Sequence, residues 1–257
     1  MDLQLSNKVA IVTGASRGIG KAIAEMLSAE GMKVVLAARS TSDLELVAKS
    51  LPNPSLVQSV DLREPDSANQ VVLATLESFG KLDLLVNNAG ATKRGDFLTL
   101  TDQEWTDGFA LKFYGALRLA RVAWPHLQAS QGAMINIIGV GGKAGSAEFT
   151  IGGAVNAALM NLTKALADRG IKEGVRVNAI NPGSISTERL QIRVQNYAKA
   201  NNIPPEEAAR RLPREMRIER FGEPEEIARA VAFLASPQAA YIQGAILDVD
   251  GGATRAL

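Results

Sequence analysis

The stretch Val9–Gly20, V-A-I-V-T-G-A-S-R-G-I-G, constrains the fold of this chain more than any other. A short apolar run ends in a glycine-rich turn, and an apolar-periodic segment follows through Leu27. Strand, turn and helix in that order leave free backbone N–H groups at a helix start, where a phosphate can be held. Gly14, Gly18 and Gly20 are spaced more widely than in the ordinary G-x-G-x-x-G fingerprint, so the match is to a variant of it. Ser16, Arg17 and Ile19 complete the candidate cradle. The competing reading is a tight strand–helix turn that holds nothing.

The same alternation continues along the chain. Ile19, Ile23, Met26 and Leu27 mark one helical face, which Gly31 is placed to end. Lys33–Ala38 reads as a second buried strand, closing in Ala37-Ala38-Arg39-Ser40 with no carboxylate for the adenosine ribose of NAD. Arg39, with Arg17, suits a 2′-phosphate instead, which favours NADP over NAD. Leu56–Val60 is a strand that ends at Asp61, within reach of an adenine amino group. After a helix over Pro65–Phe79, the strand Leu82–Val86 runs into Asn87-Asn88-Ala89-Gly90, whose amides and small residues suit a strand end beside a ligand.

Thr101–Glu104 has capping-box spacing and predicts one long helix to about Leu127, closed or kinked near Pro125. Its Phe109, Phe113, Leu117 and Ala120 belong to core or to a subunit interface. Ala133–Ile138 is a strand, Gly139–Gly145 a flexible stretch, and Ala147–Asp168 a helix with small residues on its early turns. Val175–Ile180 leads into Asn181-Pro182-Gly183. Between Thr187 and Arg220 many arginines and Pro204, Pro205 and Pro213 mark a lid over the ligand crevice. Glu223–Glu226 opens a last helix, and Ala245–Val249 is a final strand. Repeated strand and helix give an α/β chain, residues 1–257 in one domain: a three-layer sandwich, its single parallel, doubly wound sheet carrying helices on both faces. Ligand belongs at the carboxyl ends of the strands, among Gly14, Asn88, Gly139 and Pro182.

At 257 residues the chain buries a full core without disulfides, and the absence of cysteine excludes thiolate catalysis and cysteine-ligated metal. His126 is the only histidine, too few for a metal cluster, so no metal is expected. With 28 basic and 27 acidic side chains interspersed, no long-range field selects nucleic acid or membrane. Neither a secretory signal nor a membrane-spanning run is evident, and the expected location is the cytoplasm.

The motifs T-G-A-S-R-G-I-G at Thr13–Gly20, D-L at Asp61-Leu62, N-N-A-G at Asn87–Gly90 and N-P-G at Asn181–Gly183 together resemble the short-chain dehydrogenase/reductase family. The tail segments Arg220–Ala228 and Asp248–Gly252 extend the resemblance over essentially the whole chain. It implies a seven-stranded Rossmann-like sheet, bound NAD(P), a mobile substrate loop and a homotetramer or homodimer. It also implies a serine, a tyrosine and a lysine that reduce a carbonyl or oxidise an alcohol, supported by an asparagine in the preceding long helix. Aligned on Leu162-Thr163-Lys164, the tyrosine position holds Gly152, the lysine position Asn156 and the serine position Gly139; aligned on Gly115, the asparagine position holds Lys112. No tyrosine lies between Tyr114 and Tyr197.

Candidate replacements are therefore Lys112 as cation, Lys143 and Glu148 beside the glycine loop as acids, and Asn156 as a ribose-binding amide; Thr150 is near but too weakly acidic. The candidate cofactor residues are Gly14, Ser16, Arg17, Gly18, Ile19, Gly20, Arg39, Asp61, Leu62, Asn88, Ala89, Gly90, Asn156, Pro182 and Gly183. Three functions stay open: an atypical NADP(H)-linked oxidoreductase acting on a small carbonyl or alcohol, a dinucleotide-binding sensor or inactive oligomer partner, and a non-redox lyase or isomerase. Glycine at 139 and 152 is expected to enlarge the cavity beside the nicotinamide. Gly139→Ser, Gly152→Tyr and Asn156→Lys together are expected to install carbonyl reduction.

Overall fold

Strand β1 (Val9–Thr13) is buried along its whole length, with Ala10 and Val12 facing one hydrophobic cluster and Ile11 the other. Apolar residues on both sides are what a parallel strand needs when helices cover both faces of its sheet. In the computed structural model, which describes residues 1–255, β1 lies inside a seven-stranded sheet. The other strands are β2 (Lys33–Ala38), β3 (Ser55–Ser59), β4 (Leu84–Asn87), β5 (Ala133–Ile137), β6 (Arg176–Pro182) and β7 (Ile246–Val249). Their order is β3-β2-β1-β4-β5-β6-β7 and every pairing is parallel. The direction of winding reverses between β1 and β4, and the crevice opens at that switch point.

Helices α1 (Gly18–Ala29), α2 (Thr41–Ser50) and α9 (Pro224–Ala235) cover one face, burying Ile23, Leu27, Leu44, Val47, Ile227 and Val231. On the other face, α3 (Ser67–Phe79) and α5 (Gly115–Ala129) bury Val71, Val72, Leu119, Ala123 and Leu127. Gly80 ends α3 in the left-handed conformation, φ 75°, where a Cβ would be strained. No helix among the described residues is long and apolar enough to cross a membrane.

The long helix expected over residues 101–127 is interrupted. Its capping box forms, with Thr101 and Glu104 exchanging hydrogen bonds, but α4 (Asp102–Phe109) passes into a π-helical segment at Ala110–Tyr114 before α5 begins. Pro125 sits inside α5 without ending it. Apolar spacing does not reveal one residue inserted into a helical turn, which is why periodicity read this region as continuous. Helix α6 starts later than expected, at Thr150, and runs to Glu173 until Gly174 ends it. The stretch expected to be flexible after β5 contains a 3-10 turn at Val140–Gly142.

The segment expected as a lid forms two helices, α7 (Glu188–Asn201) and α8 (Pro205–Glu215). A single parallel bridge, Ile185 to Gly222, joins its two ends. Arg189 reaches across to donate to the Gly90 carbonyl at 2.6 Å, so α7 overlies the end of β4.

Candidate functional site

The nucleotide side of the crevice is built where β1 and β4 end. Thr13 Oγ1 accepts from the Asn88 and Ala89 N–H groups at 2.9 and 3.0 Å and donates to the Val86 carbonyl. Asn88 Nδ2 returns to the Thr13 and Gly14 carbonyls at 2.9 and 3.3 Å. This knot fixes the glycine turn. A Cβ on Gly20 would stand 2.2 Å from the Gly14 oxygen, and one on Gly14 2.9 Å from Asn88 Nδ2, so strand, turn and helix approach more closely than any side chain permits. Gly14 and Gly18 also have φ of 65° and 55°. Arg17 caps α1 in extended backbone without a side-chain cap bond, leaving the first-turn N–H groups of α1 for an anion. This cradle fits a dinucleotide pyrophosphate.

Around the cradle, the candidate side chains are unequally placed. Arg39 lies exposed past β2 with no side-chain hydrogen bond among the described residues, whereas Arg17 forms an exposed ion pair with Glu188 of α7 at 3.0 Å. Asp61 is clasped by Arg63 Nε at 3.0 and 3.1 Å, and those hydrogen bonds hold its carboxyl below the usual carboxylate range. Leu62 turns its side chain into the core. Pro182 ends β6, and Gly183 packs so closely on Asp250 that a Cβ would meet it at 2.7 Å.

On the substrate side, Lys112 projects from the π segment and runs beneath Gly90, where a Cβ would come within 2.8 Å of its stem. Its ammonium donates to the Ile138 carbonyl at 2.5 Å and to Asn156 Oδ1 at 2.6 Å, and Asn156 Nδ2 donates to the Gly139 carbonyl at 3.2 Å. Neither acceptor of the ammonium is charged. Burial therefore pushes the Lys112 pKa down to about 7, with the positive charge of Arg189 adding to the shift.

The space beside Gly152 is filled, contrary to the enlarged cavity expected there. A Cβ on Gly152 would lie 2.0 Å from the Phe149 ring, and one on Gly141 2.9 Å from the same ring. Phe149 thus occupies the volume that both glycines vacate. Gly139 has φ 132°, a conformation that side chains rarely adopt, and its N–H donates to Asn181 Oδ1 at 3.2 Å. A serine at 139 would strain the backbone as well as crowd Asn156 Nδ2 at 3.1 Å.

The other two candidates diverge. Lys143 Nζ is held by Asp248 Oδ2 at 2.7 Å, while Asp248 Oδ1 accepts from Asn181 Nδ2 at 2.8 Å, so this lysine serves as a strut between the glycine loop and β7. Glu148 lies exposed at the mouth, close enough to Arg94 and Arg193 to act on both charges. Thr150 Oγ1 is buried without a hydrogen-bond partner. No cluster of three or more His, Cys, Asp or Glu that could hold a metal occurs among the described residues.

Lys112, Asn156 and Gly139 are therefore brought together with Gly90, and Lys143 and Glu148 stand outside that group. Sequence reasoning missed Thr13, Phe149, Arg94 and Asp248. The only signal for Phe149 was its position between glycines 141 and 152, where an aromatic ring has room to fold back.

Comparison with known proteins agrees with this architecture. A family model described as enoyl-(acyl carrier protein) reductase matches residues 14–254. The 3-oxoacyl-(acyl-carrier-protein) reductase of Vibrio cholerae is 37% identical over 97% of this chain and 98% of its own. The meso-2,3-butanediol dehydrogenase of Serratia marcescens is 34% identical over 98% and 96%. Among solved structures, the L-sorbose reductase of Gluconobacter frateurii, complexed with NADPH and L-sorbose, superposes with a TM-score of 0.95 at 36% identity over all of both chains. An actinorhodin polyketide ketoreductase with NADPH gives 0.92 at 31% identity, over 97% of this chain and 98% of that one. With cradle, sheet order and near full-length similarity in agreement, the chain belongs to the short-chain dehydrogenase/reductase family.

Proposed function

We propose that the protein is an NADPH-dependent reductase of a small carbonyl compound, run in reverse as an alcohol dehydrogenase, in which Lys112 supplies the proton. The observation that carries this reading is the 2.6 Å contact between Lys112 Nζ and Asn156 Oδ1. The family resemblance expects an asparagine at 112 and a lysine at 156; here ammonium and amide have exchanged helices and still meet. With glycine at 139 and 152 where the resemblance expects serine and tyrosine, Lys112 is a buried titratable group held against Asn156. A pKa near 7 suits it to give and regain a proton at neutral pH.

When bound, NADPH would supply the hydride for the carbonyl carbon. The chain's own groups do the rest. The glycine turn and the first-turn N–H groups of α1 would hold the pyrophosphate, Arg17 and Arg39 the 2′-phosphate, and Asp61, already held by Arg63, the adenine amino group. Asn156, kept in place by Lys112 and Gly139, offers its amide to the nicotinamide ribose. Lys112 passes its proton to the carbonyl oxygen, directly or through one water, and is reprotonated from solvent. The exposed Tyr114 edge of the Phe109–Phe113–Tyr114 stack supports assembly into a homodimer or homotetramer.

The test is a pH profile of NADPH oxidation with a panel of small aldehydes and ketones. Reduction uses protonated Lys112, so its rate falls as pH rises through about 7, and alcohol oxidation rises over the same interval. Lys112→Gln lowers kcat by about 10²–10⁴-fold and removes that titration, with NADPH binding still measurable by fluorescence. A profile unchanged in Lys112→Gln overturns the assignment. Phe149 closing the Gly152 side favours one other reading, a dinucleotide-binding protein without turnover. Tight NADPH binding with no substrate reduced at any pH supports that reading instead.

A further inference from the structure

Among the described residues, no acidic side chain lies within ion-pair distance of Arg94, Arg189 and Arg193 at the mouth of the crevice, or of the inner cation Lys112. Arg189 is tethered to the Gly90 carbonyl, and the Arg94 guanidinium stacks 4.1 Å from the centre of the Phe149 ring.

These residues come from three separate segments that converge on one spot. Arg94 stands on the loop after β4, Glu148 and Phe149 on the entry to α6, and Arg193 on α7. The Gly95 N–H donates to the Glu148 carbonyl at 3.1 Å, holding the first two segments side by side. Arg193 is repelled by Arg94, and Glu148 is the one acidic group that acts on both. Partial withdrawal from water lowers the pKa of each guanidinium but leaves it charged. Two like charges that act on each other, with one carboxylate acting on both, form a site one negative charge short. On the residue that follows Phe149, Thr150 Oγ1 is buried and has no hydrogen-bond partner among the described residues.

Resting on the reductase reading, we propose that the substrate is an oxo acid, whose carboxylate is held by Arg94 and Arg193 above Phe149 while its carbonyl group extends inward toward Lys112. The planar fork of arginine matches a carboxylate, and two guanidinium charges against Glu148 leave one positive charge for a monoanion. A dianionic phosphate would face Glu148 with one charge unmatched. Reduction converts C=O to CH–OH: hydride forms the new C–H bond, the Lys112 proton forms the O–H bond, and NADPH leaves as NADP⁺.

The experiment is calorimetric titration of the whole protein saturated with NADP⁺, a complex that cannot reduce the probe, followed by turnover with NADPH. The probes are 3-oxobutanoate and 4-oxopentanoate, their methyl esters, and dihydroxyacetone phosphate. The acids are expected to bind at least about tenfold more tightly than the esters. Arg94→Gln with Arg193→Gln abolishes that ratio, and Glu148→Gln, by removing the competing carboxylate, increases it. Equal binding of acid and ester, or a ratio that ignores both sets of substitutions, overturns the proposal. Tighter binding of dihydroxyacetone phosphate than of either acid overturns the carboxylate assignment. Acids that bind selectively but are never reduced leave the anion site standing and reject the reductase reading, so the two failures are distinguishable.

Discussion

At the turn between β1 and α1, a Cβ added to Gly20 would lie 2.2 Å from the backbone oxygen of Gly14, whereas across the crevice a Cβ on Gly152 would lie 2.0 Å from the side chain of Phe149. Both stretches are rich in glycine, and both need a position without a side chain. In the first, backbone meets backbone and nothing can yield. In the second, one aromatic ring has moved into room that glycine left. The first arrangement shapes a cradle that fits a phosphate, and the second fills the space at Gly152 with the protein's own ring. A glycine in sequence therefore records a missing Cβ, and only its neighbours decide whether the space is a ligand's or the protein's own.

The comparison breaks most severely at Gly20. Gly20→Val forces α1 away from Gly14 and Asn88, so the expected result is a drop in NADPH affinity of about tenfold or more together with about 1–3 kcal/mol of lost stability. Fluorescence titration and thermal melting read the two effects. Affinity retained within a factor of about three would mean that the turn has slack and that the backbone contact is not what shapes the cradle.

A smaller effect sharpens the other half. Gly152→Tyr alone collides with Phe149 and is expected to cost about 1–3 kcal/mol, while Phe149→Ala together with Gly152→Tyr recovers much of that loss. The recovery is the measure: additive losses in denaturant unfolding would show that the ring does not occupy the glycine's space. The same geometry revises the expectation that serine, tyrosine and lysine at 139, 152 and 156 install carbonyl reduction. Phe149 must leave first, and serine at 139 would still carry about 1–3 kcal/mol of backbone strain at φ 132°. Three substitutions alone leave the Phe149 ring against position 152 and the backbone of residue 139 at φ 132°.

The fold was legible because its signals are local and repeated. Apolar runs such as Val9–Val12, glycine stops such as Gly80 and the Thr101–Glu104 capping box each state a strand, an end or a start within a few residues. The cradle was legible for the same reason, since Gly14, Gly18 and Gly20 lie within one turn. The substrate side depends on contacts between residues distant in sequence. Lys112 meets Asn156 because a π segment redirects the chain, and Phe149 meets Arg94 because two loops are tied at Gly95 and Glu148. Residue type alone placed Lys143 and Glu148 on an equal footing with Lys112. Asp248, a residue over a hundred positions away, removes Lys143 from that company.

The finest test concerns the rim of the cradle, where side chains rather than backbone do the holding. Arg17 and Glu188 form a pair that is mostly in water, so its loss in Glu188→Gln changes stability by less than about 1 kcal/mol. Its effect on the ligand is directional. Glu188 both occupies Arg17 and repels a 2′-phosphate, so removing its charge is expected to strengthen NADPH binding by about two- to threefold and to leave NADH unchanged. Added salt should erase the difference, because the interaction is screened at the surface. If both dinucleotides shift equally, α7 acts on the shared pyrophosphate and Arg17 does not read the phosphate. If only NADPH shifts, the close-packed turn supplies affinity for any dinucleotide and its charged rim selects among them.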